Sequence, residues 1–197
     1  ATMLVQFVGS WGDPTLEAEA AQALCDLGAV MISQHSDNTT PATTAQKNGV
    51  FHTGYNNDMT AVAPKASLLS CKIDWTKYFH DFIKNELDGK GNPSDYCGTY
   101  ANGEIVVTEL NEAIAAPGTK EAMAKAEKAI ADGSLQVFDL STFTIGGKTA
   151  TNADMYDSFA AVQGDAVKNG AFQESTLQSA PYFVGQIDGI KWLNAAY

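Results

Sequence analysis

Four residues spaced through the first 72 positions of the chain carry chemistry that could converge on one ligand: Trp11, Asp37, Asp58 and Lys72. Each follows a short apolar run. An indole offers a flat stacking face at low conformational cost. An ionised carboxylate only accepts, from vicinal hydroxyls or ring N–H groups, and a lysine only donates, to ring nitrogens or carbonyls. The set suits a planar, polar small molecule. Each member also has a plainer use. Asp37 and Asp58 could cap turns or the start of the next helix. Trp11 could shield the turn at Asp13-Pro14. Lys72 follows a buried run and is flanked by Cys71 and Ile73, which read as inward; a lysine there needs a partner.

Constellations for catalysis are weaker. Cys71 with His35 across a sheet would lack a third, orienting group. His35, Asp37 and His52 match no standard metal spacing, and His52 sits inside a strand run, where a satisfied core or edge histidine is the better reading. Gly9-Ser10-Trp11-Gly12-Asp13-Pro14 puts Trp and Pro where a dinucleotide fingerprint needs glycines, and no phosphate-cradling GxxxxGK[ST] loop occurs. No cofactor and no metal are expected. An α/β enzyme acting on a nucleoside or sugar and a ligand-sensing domain of a regulator stand as alternatives to a binding function.

The elements that must position these residues alternate. Residues 3–9 read as a strand ending at Gly9. Asp13 then caps a helix with Pro14 at its first position; Leu16, Ala20, Ala23, Leu24 and Leu27 share one face, Glu17 and Glu19 sit in the dipole-favoured first turn, and Gly28 ends it. Residues 29–34 form a second apolar run, a short helix follows Pro41 to Lys47, and 50–54 and 66–71 are the third and fourth runs. Asp74 starts a helix to about Leu87. This βα alternation implies an α/β fold, a mainly parallel open sheet with helices on both faces. Such sheets bind ligands at the carboxyl ends of their strands, where Trp11, His35, Asp37, Asp58 and Lys72 all fall. Further on, 104–108 reads as a strand, 119–131 as a helix, and Phe143 to Lys148 as a hairpin turning at Gly146-Gly147. Gln163-Gly164-Asp165 marks another turn. The apolar tail with Tyr182, Phe183, Val184 and Trp192 should pack on something.

Composition narrows the partners. The chain has 197 residues, 23 Asp and Glu against 12 basic residues, a net charge of −11, and no arginine. Nucleic acid and anionic membrane surfaces need clustered cations, so neither is an expected partner. The three cysteines, Cys25, Cys71 and Cys97, form no CxxC and read as small buried hydrophobes. No apolar run is long enough to span a bilayer, so direct membrane insertion is not expected. The chain opens on an apolar run without a signal-like segment: either it is cytoplasmic or it is a piece of a longer exported protein.

Gly9-Ser10-Trp11 with Asp13-Pro14, then DLGAVMISQHSDNTTP, GVFHTGYNNDM and APKASLLSCKIDW, resemble in order and spacing the basic membrane protein family of substrate-binding lipoproteins, also called purine nucleoside receptor A-like. LDGKGNPSDYCGTYANGEIVV and AIADGSLQVF fit its later portion, so the resemblance covers most of residues 4–140. It implies a type I periplasmic-binding-protein-like fold with a purine nucleoside or base held between two lobes. This chain, 1–197, would be the C-terminal lobe only, with a core of 1–140 and a looser extension over 141–197. Trp11 matches a base-stacking position, Asp58 a ribose-hydroxyl acceptor and Lys72 a polar contact. His35 and Asp37 match a QHxD motif found with adenine-type ligands. The implied partners are the purine ligand, the missing N-terminal lobe and an ABC permease. The implied location is outside the cytoplasm, anchored as a lipoprotein, and the implied role is binding without catalysis.

Overall fold

The computed structural model describes residues 2–149, 167–173 and 186–195. The turn expected at Gln163-Gly164-Asp165 and the tail residues Tyr182, Phe183 and Val184 lie outside the described residues. In chain order the elements are β1 (Met3–Val5), α1 (Pro14–Asp26), β2 (Met31–Ser33), α2 (Thr40–Asn48), β3 (Phe51–Tyr55), β4 (Ser67–Ile73), α3 (Thr76–Leu87), β5 (Ile105–Val107) and α4 (Thr119–Ala131). Short strands follow: β6 (Thr144–Ile145), β7 (Lys148–Thr149), β8 (Val167–Lys168), β9 (Ala171–Phe172) and β10 (Ile190–Trp192).

The main sheet has the order β2-β3-β4-β5. Its first three strands are parallel and β5 runs antiparallel to β4. The result is an α/β lobe on an open sheet. Helix α1 packs on α2, and α2 packs on β2 and β3. The core between them is built mostly from alanines, Ala21, Ala42, Ala45, Ala63 and Ala66, around Ile32 and Met59, with Leu24, Cys25, Ala29 and Val50 packed against it. Alanines let helix and sheet backbones approach closely. At Gly54 the approach is tightest, since a Cβ there would overlap Ser70 Oγ and Met59 Cγ.

Three expectations need correction. The first strand does not join the main sheet. β1 pairs in parallel with β10, Met3 opposite Ile190 and Val5 opposite Trp192. The tail thus supplies the packing partner its composition demanded: Trp192 meets Phe7 edge-on at 5.4 Å, and the Asn194 side-chain amide bonds both Phe7 N and Phe7 O. Second, of the stripe expected on α1 (Leu16, Ala20, Ala23, Leu24 and Leu27), Leu24 packs against the core, and the face that is fully buried is a different one. Glu17 and Ala21 are buried, while Leu27 is 60% exposed. A cleft of about 430 Å³ separates Leu16, Ala20 and Ala23 from Phe7 and Val8. Glu17 turns inward because three hydrogen-bond donors meet it there. Third, Cys71 and Cys97 are exposed and Cys25 is half-buried, all three as free thiols. Cys71 alternates out of β4 on the face opposite Ser70, and Cys97 lies in the loop before β5, so neither is the buried filler expected.

Candidate functional site

Local chemistry builds the ends of β2, β3 and β4 and the loop after β1. Asp13 caps α1, its Oδ1 accepting from Thr15 N at 3.0 Å and Leu16 N at 2.9 Å. The preceding turn therefore ends at a fixed point and carries Trp11 outward, 66% exposed. The loop after β2 is joined to it through its backbone: Asp37 N donates to Trp11 O at 2.8 Å. The rings then form a row. Trp11 and His35 lie 5.7 Å apart, and His35 and Tyr55 4.3 Å apart, both pairs tilted. Tyr55 is the last residue of β3 and stands opposite Cys71 of β4. Asn56, in the left-handed region at φ 60°, donates its N–H to Cys71 O at 2.7 Å. Lys72 is the next residue along β4, half-buried. Beyond it, the Asp74 carboxyl is held below its ordinary range first by the hydroxyl and N–H of Thr76 and then by the charge of Lys72.

Three of the five sequence-derived residues are thus joined, Trp11 and His35 in ring contact and Asp37 bonded through its backbone to Trp11; Lys72 lies one residue beyond Cys71, the partner of Tyr55, and so alternates to the other face of β4. Asp37 does not cap α2, whose N-cap is Thr39; its side chain is exposed. Asp58 follows three residues after Tyr55, and its Oδ1 is engaged locally by Thr60 N at 2.8 Å and Thr60 Oγ1 at 2.6 Å. The turn-capping use considered for Asp58 is therefore present at one of its two oxygens.

Sequence reasoning did not single out Tyr55. Its place as the last residue of an alternating strand, ahead of Asn56-Asn57-Asp58, was the available signal. Nor did it give a role to Gln34. His52, by contrast, is the satisfied core histidine expected. It is fully buried, with Nε2 2.8 Å from Gln34 Oε1 and Nδ1 3.3 Å from Ser67 Oγ, and burial pushes its pKa down to about 4. Among the described residues no group of three or more His, Cys, Asp or Glu side chains is placed to hold a metal ion, and no helix is long and apolar enough to cross a membrane. The arrangement offers an aromatic row with the exposed Asp37 on the same loop as His35, a surface that can stack a flat ring and bond its edge.

Residues 1–137 match the family described as ABC transporter substrate-binding protein, PnrA-like. Over 85 residues, 43% of this chain, the sequence is 40% identical to a purine-binding protein of Brucella abortus. Over 143 residues, 73% of this chain, it is 29% identical to a Haloferax volcanii protein named as an ABC transporter glucose-binding protein. These alignments span 24% and 36% of the two relatives' own lengths. Among solved structures, an ABC transporter system solute-binding protein from Conexibacter woesei matches at TM-score 0.50 and 19% identity, over 66% of this chain and 44% of that one. A transcriptional activator of the comK gene from Bacillus halodurans matches at TM-score 0.58 and 17% identity, over 65% of this chain and 46% of that one. Those two likenesses speak to the fold alone.

Proposed function

The chain belongs to the PnrA-like family of ABC transporter substrate-binding proteins, and from that premise we propose that it is the C-terminal lobe of a solute receptor that holds a purine nucleoside or base for an ABC importer. The observation that carries this reading is the Trp11–His35–Tyr55 row at the carboxyl ends of the strands. In this reading the exposed indole of Trp11 stacks the base, an interaction of about 1–3 kcal/mol. His35 and Asp37 meet the edge of the ring, Asp58 accepts from the ribose hydroxyls through the oxygen that Thr60 does not engage, and Lys72 donates to ring nitrogens or a carbonyl. The stretch of 40% identity to a purine-binding protein supports the choice of ligand. In this reading the ligand leaves unchanged.

The row is open on one side, whereas small-molecule sites usually enclose about 70–90% of a ligand. A second, N-terminal lobe of the same polypeptide closes over it, the permease receives the loaded receptor, and the receptor works outside the cytoplasm as a lipid-anchored protein. A sugar is the competing ligand, on the likeness to the glucose-binding protein, because aromatic faces and carboxylates also suit hexoses. Calorimetry of the full-length receptor with adenosine, adenine and glucose separates the two. Purine binding weakened about tenfold or more by Trp11→Ala supports the proposal. Preference for glucose, no purine binding, or recovery of a converted ligand rejects it.

A further inference from the structure

We infer that Glu17, backed by Gln34 and His52, is a positioning residue of this site, fixing the loop after β2 so that His35 and Asp37 are presented beside Trp11 and Tyr55. The inference deepens the proposed binding function and rests on it for the meaning of the site.

Residues 34 to 38 alternate strictly in burial. Gln34, Ser36 and Asn38 turn inward, and His35 and Asp37 are exposed. Both inward residues of the loop are gripped twice. Ser36 Oγ donates to Glu17 Oε2 at 2.8 Å, and Ser36 O accepts from Gln34 Nε2 at 2.9 Å. Asn38 Nδ2 donates to Glu17 Oε1 at 2.9 Å, and Asn38 O accepts from Gln34 Nε2 at 2.8 Å. Fixing two alternate residues at side chain and carbonyl fixes the direction of the residues between and beside them.

Helix capping does not explain Glu17. Asp13 already satisfies Thr15 N and Leu16 N. Glu17 adds one bond from Asp13 N, at 3.0 Å, and spends its other two on the loop, 19 and 21 residues away. Only 2% of Glu17 is exposed, and burying a carboxylate is costly unless donors surround it. One carboxylate therefore joins the turn that carries Trp11 to the loop that carries His35, in parallel with the Asp37 N–Trp11 O bond.

Gln34 is itself oriented from behind. With its amide N–H groups on two carbonyls, its Oε1 faces His52 Nε2 and requires a donor. His52 thus carries its proton on Nε2 and accepts from Ser67 Oγ at Nδ1. Turning the Gln34 amide over would set its oxygen against two carbonyls, so the chain Ser67–His52–Gln34–loop has one sense.

The test compares Glu17→Gln with Glu17→Met in selectively labelled full-length protein, without ligand, by NMR. Gln keeps an acceptor for Asp13 N and Asn38 Nδ2 and can donate to Ser36 Oγ; Met fills the space but accepts nothing comparable. Expected are Trp11–His35 and His35–Tyr55 ring contacts in wild type and Glu17→Gln, and their loss in Glu17→Met while the Met31–Phe51 contact between neighbouring strands persists. Ring contacts retained in folded Glu17→Met, or lost equally in Glu17→Gln, overturn the inference. Should Glu17→Met not fold, Ser36→Ala with Asn38→Ala carries the same expectation and the same refutation. Adenosine affinity should fall about tenfold in the variant that loses the contacts and stay within about threefold in Glu17→Gln. Absence of purine binding by wild type rejects the proposed ligand, while the ring contacts still decide the role of Glu17.

Discussion

Burial holds the imidazole of His52 neutral, with a pKa of about 4 in the folded chain against about 6.5 in an unfolded one. Between those values the unfolded state binds the extra proton. The contribution of neutral His52 is therefore complete above about pH 6.5, declines as pH falls, and is gone near pH 4. Its size is on the order of 3 kcal/mol. Acid denaturation midpoints of wild type and His52→Gln check this: the gap in stability between them should narrow from pH 7 to pH 4.5, and a gap independent of pH refutes it. The comparison removes the carboxylates Asp139 and Asp188, which hydrogen bonds hold below their ordinary range and which lose stabilisation at still lower pH. Trp11 and Asp37 could be nominated from side-chain type and place after an apolar run, and His35 from the resemblance carried by its QHSD stretch. Glu17 was not. A glutamate in a first turn looks like an ordinary dipole partner, and only the approach of Ser36 and Asn38 distinguishes it.

Helix α1 shows how far local signals reach. Its start, at Asp13-Pro14, and its end, before Gly28 at φ 87°, lie where the residue types place them. Replacing Asp13 by Ala removes the acceptor for Thr15 N and Leu16 N and should cost about 1 kcal/mol, with Asp13→Ser close to wild type; urea midpoints measure both, and equal loss in the two variants would refute the cap. The same legibility holds for α4, at Thr119–Ala131, and for the β6–β7 turn at Gly146-Gly147, whose positive φ angles only glycine adopts easily. Asp188 reinforces that turn by accepting from Thr144 Oγ1, Gly146 N and Gly147 N. Which face of α1 is inward was not legible. The leucine stripe obeys the helical period, yet the alanines of the core admit Ala21, and the loop donors draw in Glu17. Helix α3 makes the same point, since its apolar period is regular but Trp75, Phe79, Ile83 and Leu87 remain exposed.

Taken whole, the molecule is an open-sheet lobe with a net charge of −11 and its aromatic row on one rim. If a second lobe completes the site, as proposed, contact from this lobe alone buries much less of a ligand than a closed cleft does. The 197-residue chain should then bind adenosine far more weakly than the full-length receptor. Parallel titrations of the two decide it, and matching affinities would end the two-lobe account.

Element types, caps, turns and the chemistry at the strand ends were written in the chain, because each depends on residues a few positions apart and on side-chain identity. The partner of β1, the buried face of α1 and the double grip on the loop after β2 depended on the folded arrangement. The bonds between Phe7 and Asn194 join residues 187 positions apart, and Glu17 meets partners 19 and 21 positions away. Such contacts are settled by competition among all surfaces and donors that folding brings together, and no local pattern of residues records its outcome.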